Sequence, residues 1–394
     1  MLEIKLRKYD APSHCTTTIM FPASEPDLQE VMDEIGVGIT TEKQCLVDAV
    51  QNDDGGLQAL VGILVNADEI QYLAKRMDSF ERNELKTFYA VAKYEKLTEV
   101  KDFINLTFNL RCYSLVSDFS DISSIGKRYE LDRRSEITVE EMRTMDFTAV
   151  GRELLNSNKG IITPYGVLYS TGNTPEQVYN GEQFPEYYWR SDEVATVTLE
   201  SGDSQSDIKY EYLYLPCCEV EIKKALNRLG LKSPYSCTAH LDCEEMSEQI
   251  YQLFTEEFPL SEHLHSLNNL TENYIGFDEP LRNAFHAIVE MAHPRTPEDV
   301  VVLANNLCEF NVIPGLKTPE EYGRYMIIDS GHYEFDESLE EYIDFKRYGE
   351  QRIQNENGAF TDYGYIAYKG NTPAVEALLE RNNSQNMEMG GMNL

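Results

Sequence analysis

The sequence predicts an α+β chain, an elongated tandem array of small α+β and helical domains, and three observations carry that prediction. Short strand-turn-strand segments alternate with longer stretches of helical apolar spacing. A set of matched segments recurs in order, 194 to 198 residues further on, which is how an internal repeat shows itself. The chain has 394 residues, more than one ordinary hydrophobic core serves.

The matches run the length of the chain. Phe21-Pro22 leads into LQEVMDEIG, ending at Gly36, and Leu215-Pro216 leads into IKKALNRLG, ending at Gly230. INLTFNLRCYSLV (104–116) aligns with VVLANNLCEFNVI (301–313), placing Asn109-Leu110 on Asn306-Leu307. Gly126 falls on Gly323, each followed closely by Arg-Tyr, and Asp146-Phe147 falls on Asp344-Phe345. Gly172-Asn173-Thr174-Pro175 recurs letter for letter as Gly370-Asn371-Thr372-Pro373. We read a tandem duplication.

Each copy follows one grammar. A strand, turn and strand open it: LEIKLRKYD then CTTTIMF, and VATVTLE then IKYEYLY across SGDSQSD. A short helix and another strand follow, then a helical block at about 66–118 or 260–313. An α+β block closes it, with strand-like GIITPYGVLYS (160–170) or TDYGYIAYK (361–369). Thr296-Pro297-Glu298-Asp299 and Thr318-Pro319-Glu320-Glu321 read as capping boxes with Pro in the first turn. The expected boundaries are 1–185 for copy one (1–62 α+β, 63–118 helical, 119–185 α+β) and 186–192 for a linker within EQFPEYYWRSD. Copy two is 193–378 (193–258 α+β, 259–313 helical, 314–378 α+β), before a flexible tail, 379–394.

Charge narrows the function. There are 68 acids against 34 Lys and Arg, a net of −34, a field that repels nucleic acid and attracts basic surfaces. Residues 241–350 hold 24 acids and 6 bases, yet no run of five like charges occurs. Acids interleaved with apolar residues at helical spacing belong to folded surface rather than to a tail. The opening MLEIKLRKYD reads as a charged strand, not a signal peptide, and no apolar stretch approaches the roughly 18 residues of a membrane span. The eight cysteines lack a disulfide framework and fit a reducing compartment. A cytoplasmic protein, not associated with a membrane, is therefore expected.

Catalytic signatures are missing. The chain shows no phosphate loop, nucleotide-binding glycine fingerprint or nucleophile elbow, so the expectation is a protein that is not an enzyme and takes no cofactor. Cys237-x2-His240-x2-Cys243, with Cys217-Cys218 nearby, could supply zinc ligands. The spacing fits no standard site, so buried reduced thiols and no metal are expected. His263, His265, His286 and His293 fall on predicted helices and read as structural. The longest basic cluster, Arg133-Arg134, is too small to neutralise a duplex.

What remains is acid on predicted helix faces. In FDESLEEYIDF the spacing predicts a helix with Leu339, Tyr342 and Ile343 turned inward. Asp336, Glu340 and Asp344 would then form a stripe, flanked by Glu337 and Glu341. Glu244, Glu245 and Glu248, and Glu298, Asp299, Glu320 and Glu321, repeat the theme; together these twelve are the expected partner-binding acidic surface. B-DNA carries one charge per roughly 1.7 Å of axis, so 34 charges match about 58 Å of duplex. A carboxylate stripe on one helix rises about 6 Å per charge, so matching the charge density of a duplex would take several helices.

Glu320-Glu321-Tyr322-Gly323-Arg324-Tyr325-Met326-Ile327, Ser330-Gly331, and Leu339-x2-Tyr342-Ile343-Asp344-Phe345-x2-Tyr348-Gly349 resemble the C-terminal part of the ArdA antirestriction proteins of mobile genetic elements. The resemblance makes Gly323, Arg324, Tyr325, Tyr342, Ile343, Phe345, Tyr348 and Gly349 motif residues of structural role. Copy one echoes it more weakly with Gly126, Tyr129, Asp146, Phe147 and Gly151. The resemblance implies a curved chain of three small domains, usually dimeric, whose carboxylates imitate B-DNA and fill the DNA groove of a type I restriction–modification enzyme. The partner it implies is that enzyme, with no direct binding of nucleic acid. The chain departs from the family in its doubled length and in a degenerate N-terminal motif: copy one reads LRKYDAPSHC, and the only tryptophan is Trp189. The doubled length leaves a monomeric pseudo-dimer, with the C-terminal blocks of both copies meeting, beside a homodimer. The alternative function is an acidic scaffold that binds a basic partner without imitating DNA.

Overall fold

The computed structural model describes residues 2–51, 55–117, 121–134, 137–157, 159–186, 193–202, 208–369 and 378–379. The Gly370 to Pro373 recurrence, Trp189, most of the expected linker and nearly all of the expected tail lie outside those residues. The mixture of helices and small sheets is α+β.

In β1 (Leu2–Lys8), Leu2, Ile4 and Leu6 alternate inward, and Glu3, Lys5 and Arg7 face outward, the period of two that a half-buried strand imposes. β2 (Thr17–Phe21) returns beside it, and α1 (Glu25–Glu34) starts where the Ser24 hydroxyl accepts from the Asp27 amide. With β3 (Cys45–Gln51) and β4 (Leu64–Val65), the strands make an antiparallel sheet ordered β2-β1-β3-β4. Three helices follow: α2 (Ala67–Asp78), α3 (Arg82–Glu95) and α4 (Val100–Phe108). Then come β5 (Tyr113–Val116), α5 (Ile122–Arg134), α6 (Val139–Thr144), α7 (Phe147–Asn156), β6 (Gly160–Thr163) and β7 (Gly166–Ser170), with the sheet ordered β5-β7-β6.

A closely similar series runs again. β8 (Ala195–Ser201), β9 (Lys209–Leu215), α8 (Glu219–Leu229) and β10 (Thr238–Asp242) come first, with the sheet ordered β10-β8-β9. α9 (Glu248–Gln252) runs into one π-helical turn, and α10 (Leu264–Tyr274), α11 (Glu279–Ala292) and α12 (Pro297–Asn305) follow. β11 (Phe310–Pro314), α13 (Pro319–Arg324), α14 (Phe345–Glu356), β12 (Ala359–Thr361) and β13 (Gly364–Tyr368) close the series, in a sheet ordered β11-β13-β12. The ends of α11 and α12 stand 197 residues beyond those of α3 and α4.

The chain divides into two compact units. One holds Met1–Arg190 with Cys218–Gly230, and the other Ser191–Cys217 with Leu231–Leu394. α8, expected with 193–258, therefore packs in the first unit. Charge holds it there. Lys224, its side chain 5% exposed, bonds Asp68 at 2.7 Å and also Glu25, while Arg228 reaches the second Asp68 oxygen at 3.1 Å. Burial opposes the ammonium charge, but Asp68 and Glu25 outweigh it and push the Lys224 pKa above its ordinary value. Residues 182–185, which lead into the expected linker, are also anchored in this unit. Phe184 stacks on Tyr179 and Tyr72, and the Tyr72 hydroxyl donates to the Pro185 carbonyl.

Glycine lets helices touch in each closing block. A Cβ on Gly323 in α13 would overlap the Phe345 carbonyl, and one on Gly349 in α14 the Pro319 carbonyl. Gly126 in α5 and Gly151 in α7 stand the same way against the Phe147 and Ile122 carbonyls. Because the obstruction is backbone, no side-chain rotation relieves it. Gly349→Ala should therefore cost about 3 kcal/mol, read as an earlier unfolding transition in urea. Lys224→Met should cost roughly 3–5 kcal/mol by leaving buried carboxylates short of a partner. That loss should be partly recovered when Glu25→Gln is added.

Candidate acidic binding surface

The expected acidic residues fall into three groups. Asp299, Glu321, Asp336 and Asp344 cap helices or turns. Asp299 Oδ2 accepts from the Arg295 and Thr296 amides at 3.0 and 3.1 Å, and Glu321 Oε2 from the Lys317 and Thr318 amides at 2.8 and 3.0 Å. Asp344 accepts from the Arg347 amide that opens α14, and Asp336 from the Ser338 amide. These donors hold the Glu321 and Asp336 carboxyls below the ordinary range, chiefly through the Lys317 and Ser338 backbone amides. A helix N-terminus also carries partial positive charge, which favours carboxylates there.

A second group is ion-paired. Glu245 bonds Arg282 at 2.6 Å, Glu340 pairs with Arg324, and Glu298 accepts from Ser266 at 2.7 Å and meets His263 at 2.8 Å. Burial pushes the Glu298 pKa up, but the Ser266 and His263 contacts prevail and lower it. The third group, Glu244, Glu248, Glu320, Glu337 and Glu341, is exposed.

Two expectations fail on geometry. Residues 336–344 are not one helix: a six-residue 3-10 turn, Glu337–Tyr342, lies between two capping aspartates. Asp336, Glu340 and Asp344 consequently make no i, i+4 stripe. Leu339 is 52% and Tyr342 83% exposed, so neither packs inward, while Ile343 is half-buried. Asp299 is 5% exposed and spends its carboxylate on the cap, so it offers a partner nothing.

The motif residues divide likewise. Gly323, Phe345 and Gly349 are buried at the α13–α14 contact, Tyr325 and Tyr348 are half-buried, and Arg324 lies over the Phe345 ring. Sequence reasoning missed Glu272 and Glu279, exposed on α10 and at the start of α11, and Glu256 and Glu257 after α9. A signal for the first two was present. They occupy the places of Lys75 and Arg82, 197 residues earlier.

Other chemistry does not assemble. Cys237 Sγ donates to the Pro234 carbonyl and Cys243 Sγ to the Val194 carbonyl, while His240 faces Glu200 at 3.5 Å. Among the described residues no group of three His, Cys, Asp or Glu side chains is placed to hold a metal, and no helix is long and apolar enough to cross a membrane. His263 and His293 sit at helix ends rather than within helices; His265 and His286 are helical.

His286 supports the acidic end of α9. Its Nε2 lies 3.1 Å from the Tyr274 hydroxyl, which donates to the Glu245 carbonyl at 2.7 Å, so Nε2 carries the proton. Burial first, then Arg282, holds its pKa below the ordinary 6.5. A histidine kept neutral in the fold adds stability above the unfolded value, and that stability is lost as pH falls below 6.5 toward the folded value. His286→Gln, which keeps a donor for Tyr274, should flatten the decline in melting temperature below pH 6.5. An unchanged acid limb would remove His286 as its source.

Residues 209–367 match the family model described as antirestriction protein (ArdA), a span of less than half the chain. Among curated proteins none matches.

Proposed function

We propose that this protein is a non-enzymatic antirestriction protein, an acidic mimic of double-stranded B-DNA that occupies the DNA-binding groove of a type I restriction–modification enzyme. The observation that carries the reading is the antirestriction family match over 209–367. It coincides with the chain's densest acidity, 24 acids to 6 bases across 241–350. A groove built for phosphates offers Lys and Arg side chains, and exposed carboxylates such as Glu244, Glu248, Glu320, Glu337 and Glu341 give them partners. We also propose that the two element series are tandem copies, so that a single chain of 45.2 kDa carries two family-like repeats.

The decisive experiment titrates the protein into a purified type I complex and follows DNA cleavage and methylation. Inhibition should appear at stoichiometric amounts, weaken steeply with added salt, and be competed by duplex DNA. Binding that duplex DNA does not compete would favour the acidic scaffold instead. Glu337→Gln with Glu341→Gln should reduce inhibition several-fold and leave the melting temperature unchanged or slightly higher, because both side chains are exposed and removing two negative charges lowers the self-repulsion of the acidic chain.

A further inference from the structure

The middle helical blocks of the two series share a buried pattern and differ on their surfaces in one direction. At the constant offset of 197, buried Phe88, Ala90, Val91 and Leu106 correspond to buried Phe285, Ala287, Ile288 and Leu303. The first block, 63–118, holds eight bases. Lys75, Arg82, Lys93 and Lys101 correspond to Glu272, Glu279, Glu290 and Glu298. Arg76, Lys86, Lys96 and Arg111 correspond to Asn273, Asn283, His293 and Cys308. No acid of the first block becomes a base in the second. The first block therefore balances 9 acids with 8 bases, and the second, 259–313, sets 8 acids against 2.

We infer that the two series divide the work: residues 193–369 present the surface that imitates DNA, and the block 63–118 stays outside the target's groove. The inference rests on the antirestriction reading and gives it an address. A groove that holds phosphates is lined with cations. Arg82 and Lys93, both exposed on α3, would meet them as like charges in a site from which water is excluded, and like-charge juxtaposition is what suppresses wrong partners. At the same helical positions α11 offers Glu279 and Glu290. The family match, confined to 209–367, falls wholly within the series that carries fewer bases and so the larger net negative charge. Glu290 and Glu298 also serve the fold, accepting from the Asp362 amide and from Ser266, whereas Glu272 and Glu279 are exposed, and burial does not explain the reversal there.

Two double variants of the full chain test this, each moving net charge by about four units. Glu272→Lys with Glu279→Arg should lower inhibitory potency against the type I complex by about tenfold or more at low salt. Arg82→Glu with Lys93→Glu should leave potency within about twofold, although it makes the chain more acidic. Any comparable change from the second pair, gain or loss, would place block 63–118 in the groove and overturn the division. Should the first pair fail to fold by circular dichroism, Glu272→Gln with Glu279→Gln replaces it, with a smaller loss expected in the same direction. If the unaltered protein leaves cleavage and methylation untouched, the antirestriction reading itself falls. If the unaltered protein inhibits and the two pairs act alike, only the division falls.

Discussion

Like-charge repulsion is the condition under which everything else in this chain has to work. With two carboxylates for every Lys or Arg, neighbouring acids cannot all be neutralised by pairing, and the compact state carries that repulsion throughout. The cations held in ion pairs therefore mark places where the fold uses one. Lys224 and Arg228 fix α8 against Glu25 and Asp68, Arg282 lies over Tyr274 while holding Glu245, and Arg352 pairs with Glu356. Further cohesion comes from contacts that do not involve opposite charges. The backbone crossings at Gly323 and Gly349 are of this kind, as is the stack of Tyr322 on Tyr365 at 3.9 Å.

Helix starts are where carboxylates cost least. A carboxylate at an N-cap meets backbone amides that lack a partner within the helix and the positive end of the helix dipole. Glu321, Asp336 and Asp344 all use such positions, within 24 residues of one another, and each keeps its side chain exposed. Local stability and a negative surface thus come from the same atoms. Breaking 319–356 into short helices and turns multiplies the number of starts, which a single long helix would not do.

Much of the fold was legible because its signals are local. Period-two alternation located β1 and β8, and both Thr-Pro capping boxes formed as read, because cap, proline and acid lie within four residues. The segment 336–344 misled for a related reason. Leu339, Tyr342 and Ile343 have helical spacing, but Asp336 and Asp344 each cap the start of an element, so 336–344 is split between a 3-10 turn and the start of α14 and does not form one helix. The acids were legible as a concentration along the chain and not by what each side chain does. Whether an acid is spent on a cap or an ion pair depends on partners such as Arg282 for Glu245, 37 positions away. The place of α8 could not be read at all, because Lys224 finds Asp68 and Glu25 at separations of 156 and 199 residues.

The agreement of buried positions and the disagreement of surfaces also say which constraints act separately. Phe88 and Phe285, or Leu106 and Leu303, answer to packing, where a change of volume is felt by every neighbour. Arg82 and Glu279 answer to no interior neighbour and begin helices of identical length. Glutamate suits a first turn better than arginine does, so the dipole alone would favour acid in both places. Arginine at the start of α3 therefore runs against the local preference. Its cost is small, a few tenths of a kcal/mol on an exposed helix end, and helix geometry does not choose between the two residues. What each exposed face meets in solution is left to decide the sign of its charge.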